Sequence, residues 1–553
     1  MAAFANLGSP MNSRQRRTIL MIPSLLTVAL AVTSLCARFS SAQKSVETPA
    51  VRADHSDAAS DLYNETYRPQ FHFTPAKNWM NDPNGPVYYK GEYHVFYQYN
   101  PFGVEWGHMS WGHAVSRDLV HWRHLPIALA EENGVMMFSG STVVDWHNSS
   151  GFCHGPSADV PTCLVAIYTG HSPKLETQNV AYSNDDGLTW TKYAQNPVID
   201  LQLSSFRDPK VFWHEGTHKW VMVTVLASQH KARFFGSTDL KHWTFLSDFG
   251  PAGATGGAWE CPDLFPLPVD NEAAQTKWVL SVSVTSGGVT GGAGNRYFIG
   301  AFDGTTFSAE ASGDRTLWAD YGADFYASTS FSDIPKSDGR RIWLGWLTNW
   351  EYAGTWISPW RGMHSIPRQL RLKRYPDGIR LVQEPVSELR TLRTQHTSTA
   401  RKSVADANRW LRSKDIHGDT LEMEVEIEIA GASEVGLKVR KGPQEETLVG
   451  VSTGNPKEVR LFVDRTHSGN IEVDEKFPGR NAGPLRLAER QRVKLHIFID
   501  RSSVEVFGND GETVISDVIF PAGGSQGVEF YSLGGEARIV SLDVWNLQSA
   551  WRP

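Results

Sequence analysis

The chain has 553 residues, with 53 Lys and Arg against 60 Asp and Glu, and its formal net charge is −7. A hydrophobic fraction of 41% with 20% charged residues excludes wholesale disorder, and the mildly acidic balance gives no reason to expect nucleic acid as a partner. The chain also contains 20 Trp residues. Large aromatic side chains on this scale belong in cores or in the walls of a binding site.

The N-terminus is predicted to be a secretory signal peptide covering residues 1–42. Three Arg residues between positions 14 and 17 precede an apolar run over residues 18–36, and small residues at 40–42 suit cleavage. The alternative is a membrane anchor, because the run approaches spanning length, but a proline and several hydroxyl residues dilute it. Cleavage would leave a secreted protein, extracellular or held in a cell wall, that contacts no membrane.

Cysteine usage agrees with secretion. Cys153 and Cys163 flank a short loop that contains Gly, Pro and Ser, and this arrangement predicts a local disulfide in an oxidising compartment. Asn64 and Asn148 each begin an Asn-x-Ser/Thr sequence, so both are predicted glycosylation positions in a host that glycosylates secreted proteins.

The body of the chain predicts short β-strands joined by turns. Segments such as 91–98 (GEYHVFYQ) and 219–225 (KWVMVTV) are rich in aromatic and β-branched residues, and Gly, Asp, Asn and Pro separate them. Acidic turns that end in Trp also recur, at Trp122, Trp190 and Trp243. The pattern is that of an all-β repeat.

A second series of residues, spaced along the chain, predicts where the repeated units begin. Five similar units of about four strands are what a five-bladed β-propeller needs, and the first strands of its blades would surround one axial pocket. A run of β-meanders with coincidental turns is the alternative. The predicted unit starts are Asp82, Phe138 with Ser139, Asp208, Asp263 and Asp324.

The predicted fold is therefore a five-bladed β-propeller followed by a β-sandwich. The propeller covers residues 67–386, after an N-terminal linker over 43–66. Residues 387–408 are polar and predict a second linker, with a short helix as an option. Further on, strands such as 421–429 (LEMEVEIEI) alternate between apolar and acidic residues, which is typical of a sandwich, assigned to 409–553.

Three acidic motifs are the candidates for chemistry. Asp82 lies in the sequence NDPNG, Asp208 follows Arg207 in FRDP, and Glu260 lies in the apolar sequence WECPD. Each has an ordinary alternative: a tight turn, a surface ion pair and a buried structural carboxyl. An apolar setting would favour the protonated form of Glu260.

The three motifs indicate more together than singly. Each falls at the start of a predicted unit, so the three carboxyls would face one axial pocket. Glycoside cleavage uses two carboxyls of unequal pKa, one ionised and one protonated, and a third could hold sugar hydroxyls. The pattern favours a glycosidase over a non-catalytic sugar-binding propeller or a protein-interaction propeller, since neither of these needs three converging carboxyls.

In this order, the motifs resemble those of glycoside hydrolase family 32, the β-fructofuranosidases, which include invertases, exo-inulinases, levanases and fructan exohydrolases. The resemblance covers nearly the whole mature chain, from residues 67–75 (YRPQFHFTP) to 498–507 (FIDRSSVEVF). It implies the same two-domain fold and a retaining, exo-acting hydrolase of terminal fructosyl residues. It implies no cofactor and no metal.

The resemblance also implies a role for individual residues. Asp82 would be the nucleophile that forms a fructosyl-enzyme intermediate, Glu260 the acid/base, and Asp208 the stabiliser of the transition state. Polar side chains among the family's binding positions suit furanose hydroxyls, and aromatic ones suit an apolar wall, although core packing is the alternative for Trp106 and Phe138. The predicted substrate-binding residues are Trp79, Asn81, Gln98, Trp106, Phe138, Ser139, Arg207 and Trp350.

The resemblance leaves the preferred substrate open. WECPD matches cell-wall invertases and fructan exohydrolases, whereas 104–113 (VEWGHMSWGH) and 343–350 (WLGWLTNW) are closer to exo-inulinases and levanases. Plant cell-wall invertases often carry an acidic and a basic residue just before the strand at Tyr297, where this chain has the Gly-rich stretch 286–294. This departure favours fructose release from fructans, of inulin or levan type, over sucrose cleavage. An invertase and a fructosyltransferase are the alternatives.

Overall fold

The computed structural model describes residues 62–155, 161–310, 315–355, 359–454 and 458–551. The predicted signal peptide and most of the N-terminal linker lie outside the described residues. Within the described ranges, no helix is long and apolar enough to cross a membrane.

Antiparallel strands in the described part of the chain form five successive blades, as predicted. The first blade contains β1 (Asn78–Tyr89), β2 (Glu92–Asn100), β3 (Ser110–Ser116) and β4 (Trp122–Leu129); the second contains β5 (Met136–Val144), β6 (Leu164–Ser172), β7 (Leu175–Ser183), β8 (Thr191–Lys192) and β9 (Ile199–Leu203); the third contains β10 (Phe206–His214), β11 (Lys219–Leu226), β12 (Lys231–Ser237) and β13 (Thr244–Phe249).

The fourth and fifth blades are joined into one larger sheet by a pairing of β14 (Trp259–Val269) with β22 (Arg368–Tyr375). A short strand, β21 (Trp360–Arg361), pairs with β1 and connects the end of the propeller to its beginning. The remaining strands of these blades are β15 (Glu272–Val284), β16 (Gly294–Phe302), β17 (Phe307–Ala309), β18 (Leu317–Trp318), β19 (Tyr326–Ser330), β20 (Arg341–Trp346) and β23 (Gly378–Pro385).

Local sequence explains the hairpins of the propeller. In the connection between β1 and β2, Lys90 and Gly91 both adopt positive φ, 48° and 87°, as the two-residue turn of a hairpin requires. The following strand buries most of its residues between neighbouring blades, which accounts for its aromatic and β-branched composition.

The C-terminal domain is a β-sandwich, as predicted, with two sheets in the described residues. Every second residue of the strand at 421–428 points into the core: Leu421, Met423, Val425 and Ile427. The acidic residues between them face outward or pair with basic residues. The strands are β24 (Arg393–Ser403), β25 (Leu421–Glu428), β26 (Glu434–Lys441), β27 (Glu446–Ser452), β28 (Arg460–His467), β29 (Arg480–Pro484), β30 (Arg492–Asp500), β31 (Ser503–Gly508), β32 (Thr513–Val518), β33 (Gly527–Leu533) and β34 (Arg538–Leu547).

The segment 387–408 differs from the predicted linker. It contains a 3-10 helix (Ser387–Leu392), the whole of β24, and the beginning of helix α1 (Val404–Ser413). Because β24 lies at the edge of its sheet and pairs with β34, most of its side chains face solvent. An exposed edge strand has the same polar composition as a linker, which explains the error. Three further 3-10 helices in the described residues are Ala227–Gln229, Ala353–Thr355 and Glu489–Gln491.

Buried charges join the two domains. Arg368 of the propeller pairs with Asp320 at 2.9 Å and contacts Glu505 of the sandwich. His72 lies between Asp500 and Glu505, at 2.8 and 2.9 Å. Burial opposes a charge on His72, but its two carboxylate partners raise its pKa to about 9, so the interface contains a protonated, fully paired imidazolium.

The predicted disulfide between Cys153 and Cys163 is present, and both residues are buried in the second blade. Of the two predicted glycosylation positions, Asn64 is exposed. Asn148 is half-buried, and its side-chain amide both donates to and accepts from the backbone of Cys153. Asn64 therefore offers the more accessible amide, and glycosylation at either residue stays a prediction.

Candidate active site

A cavity of about 220 Å³ lies where the innermost strands of the first four blades begin. It brings together all three predicted catalytic carboxyls and every predicted binding residue except Trp79. The lining residues are Asn81, Asp82, Gln98, Trp106, Phe138, Ser139, Arg207, Asp208, Glu260 and Trp350.

A β-bulge aims side chains at this cavity in each innermost strand. Asp208 and Cys261 have φ of 62° and 47°, in the left-handed region that is uncommon for residues other than Gly and least unusual among the rest for Asn, Asp and His. An extra residue in one strand turns a side chain away from the regular alternation, and backbone strain of this kind gathers at functional sites. The register shifts lie between Met80 and Pro83, Phe138 and Gly140, Arg207 and Lys210, Glu260 and Asp263, and Tyr326 and Thr329.

Asp82 is held by donors on both carboxylate oxygens. Asn81 donates to Oδ1 at 3.0 Å, Ser139 donates to Oδ2 at 2.7 Å, and the Cys261 thiol approaches Oδ2 at 3.5 Å. Burial raises the pKa of Asp82 above its ordinary value, while these three donors act in the opposite direction. The donors also fix the orientation of the carboxyl toward the cavity.

Asp208 is buried beside the other two carboxyls. Its backbone N–H donates to Thr169 at 2.9 Å, and its Oδ2 accepts from the backbone N–H of Cys261, also at 2.9 Å. Burial first, and then the charge of Glu260, raise the pKa of Asp208 well above its ordinary value, although Arg207 opposes the shift. Carboxyls packed this closely cannot all ionise together, so they titrate as a group.

Glu260 lies between a cation and a phenol. Arg207 Nη1 donates to its Oε1 at 2.9 Å, and the Tyr326 hydroxyl donates to its Oε2 at 2.5 Å. Burial raises the pKa of Glu260 despite both donors, so this carboxyl keeps its proton to a higher pH than a solvated glutamate. A raised pKa is what a general acid needs.

Trp79 corrects the prediction for the aromatic residues. It is 2% exposed and does not line the cavity; instead its Nε1 donates to Asn81 at 2.8 Å and its ring stacks near Trp350 with centroids 6.2 Å apart. It therefore supports two lining residues from behind. Trp106 is 45% exposed and meets Phe138 edge to face, so both form the wall of the cavity rather than the core of a blade.

Sequence reasoning missed Tyr326 and Glu176. Tyr326, on β19 of the fifth blade, contacts Glu260 from behind the cavity wall. Asp324, which the repeat pattern marked as that blade's start, bonds instead to Arg465 of the sandwich at 2.6 Å. Glu176 is fully buried and binds Arg207 from behind. The bulge between Tyr326 and Thr329, equivalent to those of the other blades, is visible only in the folded structure, so no sequence pattern described above marks either residue.

The arrangement defines a class of protein. The wall of this small cavity carries three buried carboxyls of raised pKa. One of them, Asp82, is surrounded by hydrogen-bond donors, and another, Glu260, lies next to an arginine. Such a site is suited to acid/base and nucleophilic cleavage of a neutral, hydroxyl-rich substrate. On a propeller with an attached sandwich, these features are those of a glycosidase.

Comparisons with known proteins agree. The model of the glycosyl hydrolases family 32 N-terminal domain matches residues 72–385, and that of the family's C-terminal domain matches residues 388–546. The chain therefore belongs to glycoside hydrolase family 32, and it is a glycoside hydrolase. The family resemblance and the fold predicted from the sequence are both confirmed.

Two relatives and one solved structure illustrate the similarity. Levanase of Bacillus subtilis (strain 168) is 50% identical over 510 residues, covering 91% of this chain and 73% of the relative. Extracellular exo-inulinase of Aspergillus ficuum is 41% identical over 526 residues, covering 88% and 96%. The crystal structure of exo-inulinase from Aspergillus awamori superposes with a TM-score of 0.80 at 38% identity, covering 88% of this chain and all of the other.

Proposed function

We propose that this protein is a secreted, exo-acting fructan hydrolase that releases fructose from chain ends and retains configuration at the anomeric carbon. The observation that carries the proposal is the 220 Å³ cavity with Asp82, Asp208 and Glu260 in its wall. Ligand pockets commonly span roughly 300–1,000 Å³, so this smaller one suits a single terminal furanose. Levanases and exo-inulinases among its relatives favour a fructan as the substrate.

In the first step, an Asp82 carboxylate oxygen forms a bond to the anomeric carbon of the terminal fructose. The bond from that carbon to the glycosidic oxygen breaks, and the proton of Glu260 passes to this oxygen. The shortened chain then leaves with a free hydroxyl. A retaining mechanism of this kind needs the two carboxyls about 5–5.5 Å apart.

In the second step, water replaces the departed chain. Glu260, now ionised, takes a proton from the water, whose oxygen bonds to the anomeric carbon. The bond to Asp82 breaks, and the carboxylate and the protonated Glu260 are restored. The raised pKa of Glu260 supports the acid role. The three donors around Asp82 orient this carboxyl for attack and act to lower its pKa against the effect of burial.

The remaining wall residues suit the binding of one furanose. Asp208 accepts hydrogen bonds and would hold fructose hydroxyls while the positive charge of the transition state develops. Asn81, Gln98 and Ser139 offer polar atoms, and Trp106 offers an exposed ring as an apolar wall. A structurally similar β-fructofuranosidase from Schwanniomyces occidentalis, 30% identical, has been solved in complex with fructosyl-erythritol, which supports a fructoside ligand.

Export rests on the predicted leader and on relatives named as extracellular exo-inulinases. The proposed preference for fructans over sucrose rests on the relatives and on the uncharged stretch 286–294. An invertase would split sucrose faster than fructans, and a fructosyltransferase would form longer oligosaccharides from sucrose.

The test is a chromatographic time course of purified enzyme on levan, inulin and sucrose. We expect fructose as the sole early product from a fructan, released faster than sucrose is split. Replacing Asp82 by Ala should abolish turnover on all three substrates with an unchanged circular-dichroism spectrum. Oligosaccharides as early products, or wild-type-like activity in Asp82→Ala, would contradict the proposal.

A further inference from the structure

A carboxylate behind the cavity wall takes no direct part in the two chemical steps of hydrolysis. Glu176 lies near the start of β7, is 0% exposed, and does not line the cavity. Buried carboxyls are rare unless they are paired, so its partners indicate what it does.

The main partner of Glu176 is Arg207. Nε and Nη2 of the guanidinium donate to Glu176 Oε1 at 3.1 and 2.9 Å, and the backbone N–H of Phe206 donates to Oε2 at 2.7 Å. The third nitrogen of the same guanidinium, Nη1, donates to Glu260 at 2.9 Å. One cation is therefore shared between two carboxyls: Nε and Nη2 are bonded to Glu176, and Nη1 is left directed at Glu260.

The same carboxylate is also linked, through His171, to a second residue of the pocket wall. His171 Nδ1 lies 3.1 Å from Glu176 Oε1, and the His171 ring stacks on Phe138 with centroids 4.1 Å apart and planes 4° apart. Phe138 lines the cavity. Glu176 thus fixes both the arginine beside Glu260 and the ring that backs an aromatic wall residue.

The charge of Glu176 matters because Arg207 opposes the acid role of Glu260. The guanidinium acts to lower the pKa of Glu260, which would leave this carboxyl ionised when it should donate a proton. Burial acts to raise the pKa of Glu176, but His171, Arg207 and the N–H of Phe206 lower it below its ordinary value. An ionised Glu176 therefore offsets part of the field of the guanidinium.

We propose that Glu176 is a positioning residue for hydrolysis: it aims Arg207 at Glu260 and neutralises part of the charge that Glu260 experiences. The inference deepens the proposed function, since it rests on Glu260 as the acid. The titratable groups facing Glu176 are Arg207 and His171, and those facing Glu260 are Arg207, Tyr326, Asp82, Asp208 and Cys261.

The deciding variant is Glu176→Gln, which keeps the shape and one accepting oxygen but removes the charge. Arg207 would then act on Glu260 with its full charge, and Glu260 would lose its proton at lower pH. We expect the alkaline limb of the kcat/KM profile on levan to move down by about one pH unit, the size of a nearby-charge effect. Above the limb this is about a tenfold loss, whereas below it activity is retained.

Two further variants keep the test decisive. Glu176→Asp preserves the charge but withdraws it from Arg207 by one methylene, so we expect a smaller shift in the same direction; it also serves if Glu176→Gln does not fold. Asp145→Asn is the matched control, because Asp145 is a fully buried carboxyl just after the end of β5 whose partners are Ser149 and Ser150. The alkaline limb of the kcat/KM profile of Asp145→Asn should stay at the pH seen in the wild type.

A purely structural role would lower activity equally at every pH without moving the limb, and an unmoved limb in both Glu176 variants would overturn the inference. Glu260→Gln separates this failure from that of the proposed function. If Glu260→Gln retains a wild-type alkaline limb, the assignment of the acid is wrong; if it loses activity while the Glu176 variants show no shift, only the role of Glu176 is wrong.

Discussion

Replacing Asp517 by Asn is expected to stabilise the protein at alkaline pH. Asp517 lies on β32 at the contact between the two domains and is 0% exposed. Its Oδ1 accepts from the backbone N–H of Ala323 at 2.9 Å and from Asn481 at 2.7 Å. Its Oδ2 has no hydrogen-bond partner in the described part of the chain, so half of this carboxylate is buried without compensation.

Burial raises the pKa of Asp517 from 3.8 to about 7, and the nearby charge of Asp324 adds to the shift, while Arg465 opposes it. Because the pKa is higher in the folded protein than in the unfolded chain, the carboxyl takes up a proton on folding. The favourable contribution of this proton uptake to the free energy of unfolding is complete below about pH 4 and is lost as the pH rises to about 7. The difference between a pKa of 3.8 and one of about 7 corresponds to on the order of 4 kcal/mol of folding free energy.

Asparagine keeps a carbonyl oxygen for the two donors and removes the buried charge. We expect Asp517→Asn to unfold at nearly the same temperature as the wild type at pH 4, and at a temperature several degrees higher at pH 8. Scanning calorimetry at both pH values measures this difference. Asp510→Asn is the control, because Asp510 is 63% exposed and should show no such dependence. Equal destabilisation of Asp517→Asn at both pH values would refute the reasoning.

Two other substitutions test the contacts of the site and of the second blade. Tyr326→Phe removes a hydrogen bond that lowers the pKa of Glu260. The alkaline limb of the kcat/KM profile on levan should therefore move up by about one pH unit, in the direction opposite to that of Glu176→Gln. A limb that moves down or stays in place would contradict the assignment of Glu260 as the acid. Replacing both Cys153 and Cys163 by Ser opens a loop of sequence separation 10 and should lower the free energy of unfolding by about 3 kcal/mol, with kcat unchanged. An unchanged calorimetric transition would show that the disulfide contributes little.

The sequence predicted the blade and sandwich architecture well because strand patterns are local. Alternation in 421–429 and the aromatic, β-branched strands of the blades report burial over a few residues, and turns recur at each unit. The same locality explains the error at 393–403, where an exposed edge strand and a linker have the same composition. Nothing within those residues indicates that β34, far along the chain, pairs with them.

The sequence by itself determined the fold class, the three carboxyl motifs and most of the cavity wall. Asn81 and Arg207 adjoin Asp82 and Asp208 in the chain, and the repeat brings the unit starts together, whereas the other predicted wall residues came from the family resemblance. Only the tertiary structure decided which groups set the charge of those carboxyls. Tyr326 reaches Glu260 across 66 positions and Glu176 reaches Arg207 across 31. Electrostatic fields in a buried pocket act through space, so the residues that tune the acid need not lie near it in the chain.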